Sequence, residues 1–352
     1  MEAAREMTAA GARRSIRRTV LALGAILTLL ALVSCGADTG RERMSLMLDV
    51  SWLPKHAPFV SAVERGFFRA EGIDLEVMPG SGSANTVTAV DTGKVDFGWA
   101  DYGSSVLNQG RGADVKQVNL VQARSAYAVV ALAGTGIDDW SDLKGRTVAT
   151  EATGAMTAMW PYALSKLGLS VDDVNVVHAT GAAKMPGLVA GQWDANLALH
   201  VSDQPTIDAL GREATVLKWS DLGIDLYGNG IVASEEKLRT NPDQVRRFNR
   251  AMQRGFLWAC EHPEQAARDF GEEVSGYEDR TVVLAINAQC ELNWGTGPDA
   301  DTFGVMDDAG AQEMIDVAHR FLGMSPDVHL TPADVYSNDY LEPLHRGEQI
   351  TP

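Results

Sequence analysis

Gly93-Lys94-Val95-Asp96-Phe97-Gly98-Trp99 and Gly191-Gln192-Trp193-Asp194-Ala195-Asn196-Leu197 repeat one pattern in distant parts of the chain: a Gly, an Asp three residues on, then a strand signal. A Gly after a helical stretch suits the left-handed conformation that closes a helix, and the apolar run that follows reads as a buried strand. Earlier helix ends fall at nearly matching offsets, at Glu71-Gly72-Ile73 and Leu167-Gly168-Leu169. Two α/β units of common design are therefore expected.

Around the first of these segments, strand signals at Leu46 to Trp52, Ile73 to Met78 and Val95 to Ala100 alternate with helical signals near Pro58 to Glu71 and from Ala84. Two further strands are expected at Val115 to Gln122 and Tyr127 to Ala133, before Asp142-Leu143-Lys144-Gly145-Arg146 introduces another at Thr147 to Thr150. The pattern then restarts, with helices at Ala155 to Leu167, Lys184 to Ala190 and Pro205 to Leu210 and strands at Val174 to His178 and Ala195 to His200. Such alternation predicts α/β units, each a mostly parallel sheet flanked by helices.

After Ile231-Val232-Ala233 only helices are expected, roughly Pro242 to Glu261, Pro263 to Glu272, Glu278 to Leu292 and Asp307 to Leu322, with Pro242 and Pro263 suited to first-turn positions. The chain leaves the first unit near Arg124 to Val130 and returns near Leu226 to Ala233, a two-strand hinge. The expected organisation is lobe 1 over 44–126, lobe 2 over 127–228, a helical return to lobe 1 over 229–330, and a C-terminal tail over 331–352. Over 300 residues with 45% hydrophobic content exceed what one core holds.

The N-terminal stretch reads as an export signal. Arg13, Arg14, Arg17 and Arg18 precede an apolar run from Val20 to Val33, too short for a spanning helix. Leu32-Val33-Ser34-Cys35 resembles a bacterial lipobox, which makes residues 1–34 the signal, Cys35 the lipidated residue and 35–43 a tether. Residues 1–34 hold five Arg and two Glu, so the chain beyond them carries 25 basic and 45 acidic side chains, near −20. That surface repels phosphate backbones and disfavours nucleic-acid binding. With Cys35 assigned to lipid, Cys260 and Cys290 remain. An oxidising compartment permits one disulfide between them, but both fall in apolar helical stretches, which favours two separate buried thiols.

An ordered series of motifs carries a resemblance over about Leu46 to Leu322: Trp52-Leu53-Pro54, Pro58-Phe59, Gly66-Phe67-Phe68, Glu71-Gly72-Ile73-Asp74, Gly80-Ser81-Gly82-Ser83, Asp96-Phe97-Gly98, Asp142-Leu143-Lys144-Gly145, and Gly191 with Asp194. The chain resembles the type II periplasmic solute-binding proteins that serve thiamine-pyrimidine precursors, nitrate, taurine and alkanesulfonates. The resemblance implies a two-lobed receptor that closes on a small organic ligand and presents it to an ABC permease with its ATPase; the seven His are scattered without ligand spacing, and no metal or cofactor is expected. The resemblance does not imply which ligand.

Ligands in open α/β sheets bind beyond the carboxyl ends of strands, so the loops after each strand supply the candidates. Trp52, with Lys55 and His56 behind it, could stack on a flat ligand or pack the lobe edge. The Gly80-Ser81-Gly82-Ser83 turn opens a helix and offers amides and hydroxyls to an oxygen or ring nitrogen, though a plain N-cap uses the same residues. Asp101 and Tyr102 follow a strand and suit an amino-substituted heterocycle, with capping as the competing role for Asp101. In the second unit Thr153, Gly154 and Ala155 match the Gly80 turn, His200 and Asp203 follow the strand matching Asp96 to Ala100, and Tyr227 and Asn229 lie on the return crossing.

These loops offer aromatics and carboxylates, whereas a sulfonate or nitrate pocket calls for hydroxyls, amides and an Arg. A pyrimidine-like nitrogen heterocycle is the expected ligand, with taurine, an alkanesulfonate or nitrate as the alternative; Arg124 is the residue that would reverse the preference. Fungal thiamine-pyrimidine synthases share the fold but carry a cysteine cluster and an active-site Lys and His. This chain has no such cluster, nor a Gly-x-Ser-x-Gly elbow, a His-Glu-x-x-His pair or a phosphate-binding loop, so it is read as a receptor and not an enzyme.

Overall fold

The computed structural model describes residues 40–351 apart from 153–154 and 296–299. Cys35 and most of the tether lie outside the described residues, as do Thr153 and Gly154.

The repeated Asp does the same work in both places. The Asp96 carboxylate accepts the Ser45 amide at 2.8 Å, and that of Asp194 accepts the Thr147 amide at 2.8 Å. In each case the Asp locks its own strand to the strand beside it. Gly93 and Gly191 precede them at φ +67° and +70°, left-handed conformations that Gly adopts without a Cβ penalty.

The first sheet contains β1 (Glu42–Met47), β2 (Ile73–Met78), β3 (Phe97–Asp101), β4 (Val115–Asn119) and the late strand β10 (Asn229–Ser234), in the order β2-β1-β3-β10-β4. The second contains β5 (Tyr127–Leu132), β6 (Thr147–Thr150), β7 (Asn175–His178), β8 (Ala195–Leu199) and β9 (Ala214–Lys218), in the order β7-β6-β8-β5-β9. Three parallel strands are followed in each by one antiparallel strand and a last strand antiparallel to that one. Four of five strands thus point one way, as a mostly parallel sheet requires. The reversed strand is β10 in the first sheet and β5 in the second, and these two abut the chain crossings at 120–126 and 219–228.

Helices flank both sheets. In the first unit these are α1 (Ala57–Glu64), α2 (Phe67–Ala70), α3 (Ser83–Asp91) and α4 (Tyr102–Gln109); in the second, α5 (Ala155–Lys166), α6 (Gly181–Val189) and α7 (His200–Ala209). The helical run expected over Pro58 to Glu71 is interrupted at Arg65 and Gly66, because Gly66 adopts φ +85°. After β10 come α8 (Glu235–Thr240), α9 (Pro242–Glu261), α10 (Pro263–Glu273), α11 (Asp279–Glu291), α12 (Asp308–Arg320) and α13 (Pro332–Val335). Pro242 and Pro263 occupy first-turn positions, where the missing amide hydrogen costs nothing.

The amphipathic face of α9 covers the first sheet through Val245, Phe248, Met252 and Phe256, all fully buried. Phe248 stacks on Phe97 at 3.8 Å between ring centroids, and Phe256 meets Phe59 edge-on at 4.6 Å. Each such burial contributes about 1.5–3 kcal/mol. A separate apolar cluster containing Tyr102, Val106, Trp160, Trp219 and Met314 draws side chains from both units.

β1 ends at Met47, short of the strand expected to reach Trp52. The loop before α3 takes the next carbonyls: Gly82 donates to Asp49 O at 2.7 Å and Gly80 to Val50 O at 3.0 Å. β9 was not expected at all. Cys260 and Cys290 are joined in a disulfide, which corrects the expectation of two separate thiols. Their helical context was read correctly, but packing of α9 beside α11 brings the two side chains together, and no spacing rule reports that. Among the described residues no helix is long and apolar enough to cross a membrane.

Candidate functional site

The carboxyl ends of β1 and β3 and the first residue of β10 gather at one edge of the first sheet, since Asn229 pairs directly with Asp101. At its centre is Asp49, just beyond β1. Its Oδ2 accepts from Lys55 Nζ at 2.6 Å and from Asn229 Nδ2 at 3.0 Å, and its Oδ1 from the Val50 amide and His56 Nε2, both at 2.9 Å. His56 Nδ1 in turn accepts the Leu53 amide at 3.1 Å, so the ring proton sits on Nε2 and faces Asp49.

Burial opposes charge on Asp49, but Lys55 and His56 hold its carboxyl far below the usual range. Burial lowers His56 in turn, keeping it neutral. The result is a buried, internally neutral ion pair whose acceptor capacity is filled.

Asp101 differs. Its Oδ1 caps α4, accepting from the Ser104 amide at 2.8 Å and the Ser104 hydroxyl at 3.0 Å. Among the described residues its Oδ2 receives only the Tyr127 hydroxyl, at 3.4 Å. Burial pushes the Asp101 carboxyl up, against the pull of Ser104 and Tyr127, and pushes the Tyr127 phenol well above its ordinary range. Tyr127 opens β5 opposite Leu199, so this contact joins the edges of the two sheets. The Tyr127 ring meets Trp219 edge-on at 5.5 Å, and Trp219 stacks with Trp160 at 6.2 Å. Both indole Nε1 atoms are buried without a hydrogen-bond partner among the described residues.

Other expected site residues fall around this centre or apart from it. The Trp52 ring packs edge-on against Phe270 and His56, and its carbonyl accepts from the Tyr277 hydroxyl. Gly80 and Gly82 give their amides to the Asp49 loop; Ser83 Oγ accepts the Asp101 amide at 3.1 Å and Ser81 Oγ accepts from Asn85. Tyr102 is fully buried against Tyr227 in the shared apolar cluster, and the Tyr227 hydroxyl accepts the Asp307 amide. α5 begins at Ala155. His200 is buried with Nε2 unpartnered among the described residues, and burial, with Lys218 and Arg124 nearby, lowers it to about 4. Asp203 accepts from Asn196 at 3.2 Å near Lys184, a group that shares no partner with Asp101. Arg124 lies 3.5 Å from Asp225.

Asp49 and Tyr127 were missed. The rule that loops after strands form sites points to Asp49, but the expected strand ran through it. Tyr127 begins a strand whose reversal only the fold reveals.

A model of the family described as NMT1/THI5 like matches residues 53–266, which span Lys55, Asp101, Tyr127 and Asn229. The chain belongs to the NMT1/THI5-like family. Its relatives carry two kinds of name. The 4-amino-5-hydroxymethyl-2-methylpyrimidine phosphate synthase of Schizosaccharomyces pombe is 22% identical over 240 residues, 65% of this chain and 69% of that protein. The formylaminopyrimidine-binding protein of Halalkalibacterium halodurans is 22% identical, over 68% of this chain and 75% of the other. Among solved structures, the periplasmic aliphatic sulphonate binding protein SsuA from Escherichia coli superposes with a TM-score of 0.67 at 16% identity, covering 88% of this chain and 95% of that one. The chain therefore has the periplasmic-binding-protein fold expected from the sequence, and the relatives' names include both binding proteins and synthases.

Proposed function

We propose that this chain is the exported, Cys35-anchored receptor of an ABC importer, which holds a pyrimidine-like nitrogen heterocycle between two lobes and hands it unchanged to a permease driven by its ATPase. The charge balance at the shared edge carries the ligand class. Lys55 is neutralised by Asp49 and His56 is neutral, which leaves Asp101 as the acceptor at this edge still open among the described residues. A carboxylate in that position suits a ring amine or protonated ring nitrogen and opposes a sulfonate or nitrate. The half-buried Tyr127 ring beside it, backed by the buried Trp219 and Trp160, offers a flat apolar face to an aromatic ligand.

Binding rather than synthesis is supported by the lysines. Lys55 and Lys184 are the buried lysines among the described residues; the first is paired with Asp49, and the second with Glu151 at 3.1 Å while donating to Leu197 O. An ammonium held in an ion pair is a poor amine nucleophile.

The test is calorimetry on the full chain in mild detergent with 4-amino-5-hydroxymethyl-2-methylpyrimidine, formylaminopyrimidine, taurine, an alkanesulfonate and nitrate, followed by mass spectrometry of the recovered ligand. Saturable binding of a pyrimidine recovered intact is expected. Tighter binding of a sulfonate would replace the ligand class, and a chemically altered pyrimidine would replace the receptor with an enzyme.

A further inference from the structure

The C-terminal end of α11 grips both chain crossings. Gln289, fully buried, accepts at Oε1 from Gln122 Nε2 at 2.6 Å, and Gln122 Oε1 accepts the Asn229 amide at 2.9 Å. The crossings also bond to each other, Gln122 N to Asn229 O at 2.8 Å and Gly228 N to Gln122 O at 2.9 Å. With its amide nitrogen as donor, Asn293 reaches Val121 O at 3.1 Å and Gln289 O at 3.2 Å. Beside Gln289, Cys290 is tied to Cys260 at the end of α9. α11 and the residue after it also touch the second unit, where Ala288 and Leu292 pack with Val201 of α7 and Ala126.

One chain of hydrogen bonds thus runs from the disulfide-anchored helix to the site. It passes from Gln289 through Gln122 to Asn229, whose side chain donates to Asp49. Each member is buried, so a missing partner is not replaced by water without cost.

We propose that Gln289, held against α9 by the Cys260–Cys290 bridge, is a positioning residue for ligand capture that fixes the two crossings in the register the site needs. The proposal rests on the receptor reading. Two units joined by two chain crossings can rotate about them, and a crossing locked by side-chain bonds samples fewer relative orientations. Unlocking it lowers the fraction of molecules in the binding-competent arrangement, and the apparent affinity falls by that fraction.

The experiment compares Gln289→Ala, Gln289→Glu and the Cys260→Ala/Cys290→Ala pair with the unaltered full chain. Affinity for 4-amino-5-hydroxymethyl-2-methylpyrimidine is read by calorimetry. The spread of inter-unit distances without ligand is read by pulsed electron resonance between spin labels at Thr88→Cys and Asp172→Cys, both exposed positions. Gln289→Ala is expected to weaken binding roughly tenfold and broaden the distances, and the cysteine pair to do both to a smaller degree. Gln289→Glu still accepts from Gln122, so it is expected to keep affinity within about threefold and the distances narrow, although a buried carboxyl costs it more thermal stability than Gln289→Ala loses. A purely structural role would make affinity follow stability, the reverse order. The proposal fails if Gln289→Ala leaves the distances unchanged, or if Gln289→Glu broadens them equally. Those outcomes do not depend on the ligand, so they are separate from a failure of the unaltered chain to bind pyrimidines.

Discussion

The Lys55 ammonium lies 2.6 Å from the Asp49 carboxylate, with both side chains almost entirely withdrawn from solvent. Two opposite charges taken out of water together are tolerable; one left alone is not.

Lys55→Met is therefore expected to destabilise the protein by about 3–5 kcal/mol, because it strands the Asp49 charge. Adding Asp49→Asn should recover part of the loss. Urea unfolding of the two single variants and the double provides the check, and strictly additive losses would show that the pair is not coupled.

Asp101→Asn keeps an acceptor for the Ser104 amide and removes a buried charge, so unfolding stability should hold or rise. Affinity for a ring amine or protonated ring nitrogen should fall about 10- to 100-fold, the loss of one charge-assisted hydrogen bond. Calorimetry reads this directly; wild-type affinity in the variant would remove Asp101 from the site.

His200 makes stability depend on pH. Its folded value of about 4 lies below the unfolded value near 6.5, so between them the unfolded chain binds more protons. The contribution is fully present above about pH 6.5 and disappears as pH falls towards 4, on the order of 3 kcal/mol in all. His200→Phe should flatten that slope relative to the unaltered chain in denaturation series from pH 4.5 to 7.5. Asp101 and Asp203, whose carboxyls are raised and act with the opposite sign, are common to both proteins and cancel in the difference.

Gly80→Ala would place a Cβ onto the Leu48 carbonyl oxygen, which is backbone and has nowhere to go. A loss of about 2 kcal/mol or more is expected, with weaker ligand binding, while exposed Ser81→Ala should be close to neutral. Denaturation midpoints that coincide for the two variants would contradict the close approach.

Much of the architecture was legible because the Asp of each repeat is a local instruction. Asp96 and Asp194 each bond the strand beside their own, and the residues around them carry the same helix–Gly–strand order. The candidate site was legible in part. Asp101 and Asn229 stand where a post-strand rule and a return crossing place them, whereas Tyr102 and Tyr227, equally polar on paper, pack against each other in the apolar cluster. A phenol carries both an apolar ring and a donor, and sequence does not say which of the two the fold will use.

Two α/β units of one design, the helical C-terminal part and the acidic surface can be read from the residues alone, because periodicity, turn residues and charge act over a few neighbours. It takes the folded chain to show that Asp49 meets Lys55 and Asn229, that Tyr127 reaches Asp101, and that Cys260 joins Cys290. Apart from the local Asp49–Lys55 pair, these contacts close across reversed strands or between helices far apart in the chain, so they depend on how whole elements pack rather than on any local pattern.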